Sequence, residues 1–306
     1  ATSISRRVPS RICRSNSDGS HCCCPSNTSW APTAEPCARA FTSPAVRVAL
    51  GEEFKSEDIN VEGKMVASLK ELGFDYVLDT TFGADLTIME EASELIDRIK
   101  NNKPLPQFTS CCPAWVKYME VYHPNLIKHL STCKSPIGMQ GAMIKTYFAE
   151  MMDIPKENIV AVAITPCTAK KSEILLPNSN DTDFVVTTRE LAHMIREKEI
   201  DFNNLKDQEY DSIMGRGSGA GVIFGNSGGV MEAAIRTAYH FLTNESPKKE
   251  LLNFTNVRGY DNVKEAEVII GDKELKLLEE KSDIILSEQQ IEAIKEINDN
   301  NVFVIK

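Results

Sequence analysis

The apolar positions change period along the chain, and each change predicts an element. Short runs rich in β-branched residues read as strands at 45–50 ("AVRVAL"), 76–82 ("YVLDTTF"), 158–167 ("NIVAVAITPC"), 183–188 and 266–271. Between them, apolar residues recur at helical spacing over 62–72, 86–100, 113–121, 138–151, 188–198 and 229–242. The segment 86–100 shows this best, with Ile88, Ala92, Leu95, Ile96 and Ile99 on one face. Strands alternating with helices of this length predict an α/β fold: two lobes of mostly parallel twisted sheet flanked by helices, with the functional site in the cleft between them. After residue 272 the pattern turns charged and helical ("KELKLLEEKSD", "SEQQIEAIKEIND") and closes on the apolar "VFVIK". No internal repeat is evident.

Residues 1–43 show no period at all. Ser, Arg, Pro and Cys dominate, and "HCCCPSNTSWAPTAEPC" offers neither helix nor strand. The segment reads as an extension without regular structure. An organelle transit segment is the second reading, given its Arg- and Ser-rich, acid-poor start. A third is a metal-binding segment using Cys22, Cys23, Cys24 and Cys37, although a run of three cysteines has no standard zinc spacing. The expected organisation is therefore an extension over 1–43, a main domain over 44–271 and a charged helical tail over 272–306.

Composition narrows the classes. The 306 residues are 42% hydrophobic and 25% charged, with a net charge of -10, which suits a globular chain with a sizeable core. The first 43 residues carry five Arg and no Lys against Asp18 and Glu35, so the remainder is more acidic than the total suggests. An acidic body without a basic stripe argues against nucleic acid as a partner. No apolar run reaches the roughly 18 residues of a membrane span. The nine cysteines all lie at or before residue 167. They are too few for a disulfide scaffold in a chain of this length, so metal binding or catalysis in a reducing, cytoplasmic compartment is expected.

Four constellations carry candidate chemistry. In "FTSCCPAW", Cys111 and Cys112 precede Pro113, a residue favoured at the first turn of a helix. Their thiols then lie near the positive end of the helix dipole, which favours a thiolate; a pair of small buried apolar cysteines is the bland alternative. In "TPCTAKKSE", Cys167 follows a strand directly and Lys170 shares its loop, at the strand end where α/β sheets build sites. The stretch "GRGSGAGVIFGNSGGVMEAAIR" (215–236) is glycine-rich without the spacing of a phosphate loop or a dinucleotide fingerprint. Its glycines allow close backbone approach to a ligand, or simply turns before a helix. Finally, Glu91, Glu94 and Arg98 share one helical face, where a solvated ion pair is the ordinary reading.

Together these motifs resemble the catalytic domain of the iron-only (FeFe) hydrogenases over roughly residues 44–271. "FTSCCPAW", "TPCTAKKSE" and "FGNSGGVMEAAIR" carry the resemblance, supported by "PAVRVALGEEF", "FGADLTIMEEASELI" and "CKSP". It implies reversible reduction of protons to dihydrogen at an H-cluster. That group is a 4Fe-4S cubane joined through a cysteine sulfur to a two-iron unit with CO, CN and dithiolate ligands. By resemblance, Cys112 and Cys167 are cubane ligands, Cys111 is the thiol that passes protons inward, and Lys170 binds a cyanide. Glu91, Ser131, Glu94 and Arg98 match the family's proton path. Phe224 and Gly225 would pack against the two-iron unit, and Pro44 and Ala45 would line the same pocket. The partners implied are ferredoxin as electron donor or acceptor and the H-cluster maturation proteins.

The departures are equally specific. The family takes its third and fourth thiolates from a C-terminal M-x-C-x-x-x-C motif, and no cysteine follows Cys167 here. Cys133 is a further thiol, but its match in the family is not a ligand. Thr165 stands where the family commonly has Met, and Ile137 where a polar residue is frequent. The Cys-x-x-Cys-x-x-Cys runs of upstream ferredoxin-like domains do not occur in residues 1–43. The expectation is an iron-only hydrogenase domain, an oxidoreductase, represented by a truncated chain. The alternatives are a non-catalytic iron-sulfur assembly or sensing paralogue, and a split enzyme completed by another chain. A hydrogenosome or other organelle replaces the cytoplasm if residues 1–43 are a transit segment.

Overall fold

The computed structural model describes residues 36–225, 228–248, 255–256, 263–270, 273–280 and 302–305. In chain order the elements are β1 (Cys37–Thr42), α1 (Val46–Glu53), α2 (Glu62–Glu71), β2 (Tyr76–Asp79), α3 (Thr81–Lys100), α4 (Pro113–Tyr122), α5 (Pro136–Met143), α6 (Ala149–Met151), β3 (Ile159–Ile164), α7 (Lys170–Glu173), β4 (Phe184–Val186), α8 (Thr188–Glu197), α9 (Gly219–Ile223), α10 (Gly229–Thr243), β5 (Thr255–Asn256), β6 (Val263–Ile270), β7 (Lys273–Glu280) and β8 (Val302–Ile305). The described residues divide into two compact units, one from those up to residue 80 together with 140–216, the other from 81–139 together with those after residue 216.

The first unit is built on a parallel sheet in the order β2-β1-β3-β4. One face carries Ala40, Val77, Val162, Ile164 and Val186 against Val46 and Leu50 of α1, Met65 and Leu69 of α2, and Leu191 and Ile195 of α8. The opposite side chains of β1 and β3, Arg39, Phe41, Ala161 and Ala163, are buried too. Burial on both faces is the condition under which parallel sheets form. Arg39 tolerates it by stacking its guanidinium on Tyr76 and Phe148, 4.2 and 4.6 Å from the ring centroids. The start of α8 is set locally, by a capping box between Thr187 and Glu190.

In the second unit, Ala92 and Leu95 of α3 pack on Met231, Ala234, Ile235 and Ala238 of α10. A smaller cluster joins Phe108, Trp115, Met119 and Leu130. Two glycines of the 215–236 stretch, Gly217 and Gly221, lie tight against the start of α3. A Cβ on Gly217 would lie 2.4 Å from Thr81 Cβ and 2.6 Å from the Thr81 carbonyl, and one on Gly221 would lie 2.6 Å from that same oxygen. Gly217 also donates its N–H to Thr81 Oγ1 at 3.1 Å. Gly217→Ala should therefore cost about 1–3 kcal/mol in chemical denaturation, as overpacking against backbone does, whereas Gly219→Ala, with open space at its Cβ, should cost far less.

Several expectations are corrected. "AVRVAL" is not a strand but most of helix α1, and the strand precedes it as β1, inside the segment expected to lack structure. The local pattern Val-Arg-Val-Ala-Leu fits either state; burial of Val46 and Leu50 one helical turn apart decides it. The residues "TTF" after β2 open helix α3 instead of extending the strand. "KELKLLEE" is strand β7, not helix, because β6 pairs with it antiparallel along its whole length. The rest of the expected tail helix, 287–299, lies outside the described residues, as do Cys22, Cys23 and Cys24. The second sheet, β5-β6-β7-β8, is antiparallel at its first two pairings and parallel only at β7–β8, so mostly parallel describes the first sheet alone.

Candidate functional site

The first unit offers a strand-end site. From β1 the chain goes on to β2 on one side, and from β3 to β4 on the other, so β1 and β3 flank the point where the winding reverses. Ligands of open α/β sheets bind outside the carboxyl ends of such strands. Pro44 and Ala45 follow β1, with Ala45 as the N-cap of α1; Cys167 follows β3, with its thiol partly exposed. Ser43 N–H donates to the Ile164 carbonyl at 2.9 Å and ties the two strand ends together. Lys170 opens α7 and is buried, and its Nζ donates to Glu173 Oε2 at 2.6 Å. Glu173 was not singled out from the sequence, although the i, i+3 spacing within "KKSE" is a signal that could have found it.

In the second unit, α3 aims the acidic candidates at the loop that follows residue 129. Phe108 and Leu130 form a parallel bridge, with Phe108 N–H donating to the His129 carbonyl at 2.8 Å and Ser131 N–H to the Phe108 carbonyl at 2.7 Å. This places Ser131 against the helix. Glu94 Oε2 accepts from Thr132 N–H at 2.9 Å, Thr132 Oγ1 at 3.0 Å, Ser131 Oγ at 3.1 Å and Cys133 Sγ at 3.6 Å. Its Oε1 accepts from Arg98 Nε and Nη2 at 2.9 and 2.7 Å. These donors, Arg98 foremost, hold the Glu94 carboxyl below the usual range despite partial burial. Arg98 in turn donates to the carbonyls of Pro104, Lys128 and Leu130.

Glu91, one helical turn earlier, is 1% exposed, and neither carboxyl oxygen makes a hydrogen bond of ordinary geometry among the described residues. Burial pushes its pKa up to about 7, with the Ser110 backbone and the Ser131 hydroxyl pulling partly the other way and the Glu94 charge adding to the rise. Two carboxylates on one helix face thus differ sharply: one is charged and saturated with donors, the other poised to hold a proton near neutrality. The ordinary reading of that spacing, a solvated ion pair, does not describe it: the Glu94–Arg98 pair forms, with Glu94 partly buried and Arg98 buried against three carbonyls.

Cys112 caps α4 with extended backbone, Pro113 occupies the first helical turn, and both Cys111 and Cys112 are partly exposed. Among the described residues Cys37, Cys111, Cys112, Cys133 and Cys167 form no disulfide. Phe224 terminates α9, and a Cβ on Gly225 would meet only the Val222 carbonyl, at 3.6 Å, so nothing described in the protein itself requires glycine there. The structure brings Glu91, Glu94, Arg98 and Ser131 into one array; Pro44, Ala45, Cys167 and Lys170 belong to the other unit. Sequence reasoning missed Thr132 and the Cys133–Glu94 contact, which arise from a loop with no local signature.

A cubane requires four thiolates. Among the described residues no three His, Cys, Asp or Glu side chains gather into a metal-holding group. Among the described residues the thiols therefore do not gather into a cubane's donor set, whereas Glu91, Glu94, Arg98 and Ser131 do come together.

Comparisons with known proteins agree on a family. The sequence model described as "Iron only hydrogenase large subunit, C-terminal domain" matches residues 38–301. The chain is 50% identical over 246 residues to the NADP-reducing hydrogenase subunit HndD of Solidesulfovibrio fructosivorans, covering 76% of this chain and 42% of that one. It is 48% identical over 264 residues to the periplasmic Fe hydrogenase large subunit of Nitratidesulfovibrio vulgaris, covering 81% and 62% respectively. It thus spans about half the length of these curated relatives. A solved structure of a FeFe-hydrogenase HydA1 variant from Chlamydomonas reinhardtii matches with a TM-score of 0.73 at 34% identity, covering 88% of this chain and 76% of that one.

Proposed function

Since the chain belongs to the family of C-terminal domains found in the large subunits of iron-only hydrogenases, we propose that it acts in reversible reduction of protons to dihydrogen and that its own residues supply the proton path. The observation that supports this best is the pairing of buried, donor-poor Glu91 with donor-saturated Glu94 through Ser131. A path needs a group that holds a proton near neutral pH and a neighbour that stays charged and reaches toward water. Glu91 is the first and Glu94 the second.

In this reading a proton arriving at Glu94 passes to Ser131 Oγ as the hydroxyl gives its own proton to Glu91. Arg98 then holds Glu94 as the anion again, ready for the next transfer. Cys111 takes the inward step after Glu91. When bound, the H-cluster would supply the electrons and the metal centre at which two protons combine. Cys112 and Cys167 are the thiolates we assign to its cubane, Lys170 its cyanide contact, and Pro44, Ala45, Phe224 and Gly225 its apolar lining. Ferredoxin is the electron partner and the maturation proteins insert the two-iron unit. No helix among the described residues is long and apolar enough to cross a membrane.

Iron and acid-labile sulfide analysis after anaerobic reconstitution tests the ligand assignment. Residues 1–306 alone should hold less than a full cubane, and a co-expressed segment carrying the family's C-terminal cysteine motif should raise iron to the full complement. That gain should vanish in Cys112→Ala and in Cys167→Ala. Retention of the full complement in the double variant would sink the assignment.

A further inference from the structure

We propose that Trp115, Tyr118 and Tyr122 form an electron-transfer chain along α4, which carries an oxidising equivalent from the thiol-bearing start of the helix to its exposed end. Such a chain is separate from the proton path and needs no bound group. The three residues are spaced by three and four positions and so share one face of the helix. Trp115 and Tyr118 stack, with ring centroids 6.1 Å apart and planes at 16°, and Tyr118 meets Tyr122 at 5.0 Å. Burial falls along the line: Trp115 is 6% exposed, Tyr118 is partly buried and Tyr122 is 68% exposed. At the inner end, Cys112, the N-cap of α4, packs against the cluster that contains Trp115.

Indole and phenol give up one electron far more readily than a plain benzene ring does. Trp115 Nε1–H donates to the Thr109 carbonyl at 3.1 Å. A carbonyl does not take that proton, so an oxidised indole here stays a radical cation, its more strongly oxidising form, and draws an electron from Tyr118. Tyr118 is restored by an electron from Tyr122. In sum, a radical oxidant strong enough to oxidise indole gains one electron at the buried end, and Tyr122 supplies it. The Tyr122 phenolic proton passes to water, while Trp115 and Tyr118 end as they began. What remains is a neutral phenoxyl radical at the surface, where a soluble reductant such as ascorbate returns the electron and water the proton. Packing alone would be served as well by phenylalanine at 118 and 122, because stacking belongs to the rings. The phenol groups are what electron transfer adds.

Laser photoionisation of tryptophan in the cluster-free chain, with an electron scavenger present, tests the chain directly. The sequence holds two tryptophans, so Trp30→Phe leaves Trp115 as the sole indole. In that background the indole radical absorption should decay as a tyrosyl radical absorption rises, at a rate independent of protein concentration. Tyr118→Phe keeps the ring and its stacking and should abolish the tyrosyl rise. Tyr122→Phe should leave the rise in place but abolish the adduct that a water-soluble spin trap forms at residue 122, read by peptide mass spectrometry. A rate proportional to protein concentration would mean transfer between molecules and overturns the proposal. So does a tyrosyl rise unchanged in Tyr118→Phe, or a trap adduct that forms away from Tyr122 in the parent.

Discussion

Glu91→Gln should make the protein more stable above neutral pH while slowing any hydrogen turnover it supports. Burial raises the Glu91 pKa from 4.5 to about 7 in the folded chain. Between those values the folded chain keeps a proton that the unfolded chain has released. Stability is therefore full below the unfolded pKa and falls as pH rises through the folded one. The loss amounts to about 3 kcal/mol above neutrality, from roughly 1.4 kcal/mol per pKa unit. Glutamine keeps the shape and carries no charge, so the pH-dependent loss should disappear from its denaturation curves. Urea unfolding at a series of pH values reads this as a flattened slope, and an unchanged slope would show that Glu91 is not the group responsible. Turnover should move the other way. A positioned proton-transfer group contributes ~10²–10⁴ in rate, so a loss of that order is expected in any preparation that evolves hydrogen from reduced methyl viologen.

Arg98→Met should be the most destabilising single change in the array. Arg98 is 5% exposed, and its guanidinium satisfies Glu94 together with three backbone carbonyls. Removing it leaves a partly buried carboxylate without its cation and opens the end of α3 from the loops at 104 and 128–130. Breaking a buried pair from one side costs about 3–5 kcal/mol, and a loss in that range is expected from denaturant unfolding at neutral pH. The Glu94 pKa is held low by Arg98, so that part of the stability is present above the unfolded carboxylate range and fades as pH falls through the folded value. The gap between variant and parent should narrow in acid. Arg98→Lys should recover only a fraction, because an ammonium cannot meet a carboxylate in two places and still span the carbonyls. Full recovery by Lys would mean that charge alone, and not the fork, is what the site uses.

These two predictions rest on different levels of legibility. That Glu91, Glu94 and Arg98 share a face follows from helical spacing, and the 86–100 periodicity was enough to place them on α3. That the face is turned inward was not readable from spacing. It depends on Ser131 and Leu130 coming back to the helix through a bridge with Phe108, more than twenty residues away in sequence. Lys170 shows the same split: its place after a strand was legible, its buried partner Glu173 only in part. Arg39 was invisible as a core residue, since a charged side chain in a Cys- and Pro-rich stretch signals exposure until the rings of Tyr76 and Phe148 close over it.

By itself, the sequence determined what local chemistry can encode. Pro113 starts a helix directly after Cys111 and Cys112, β3 runs as a β-branched strand into Thr165-Pro166-Cys167, and the ordered motifs identify the family. The tertiary structure alone decided the state of segments whose local pattern fits two answers. Val-Arg-Val-Ala-Leu became a helix because Val46 and Leu50 find one buried face, and Lys273–Glu280 became a strand because β6 supplies its backbone partners. It also decided which carboxylate keeps a proton. Ionisation depends on desolvation and on donors gathered from distant parts of the chain, and neither is a property of a residue's neighbours in sequence.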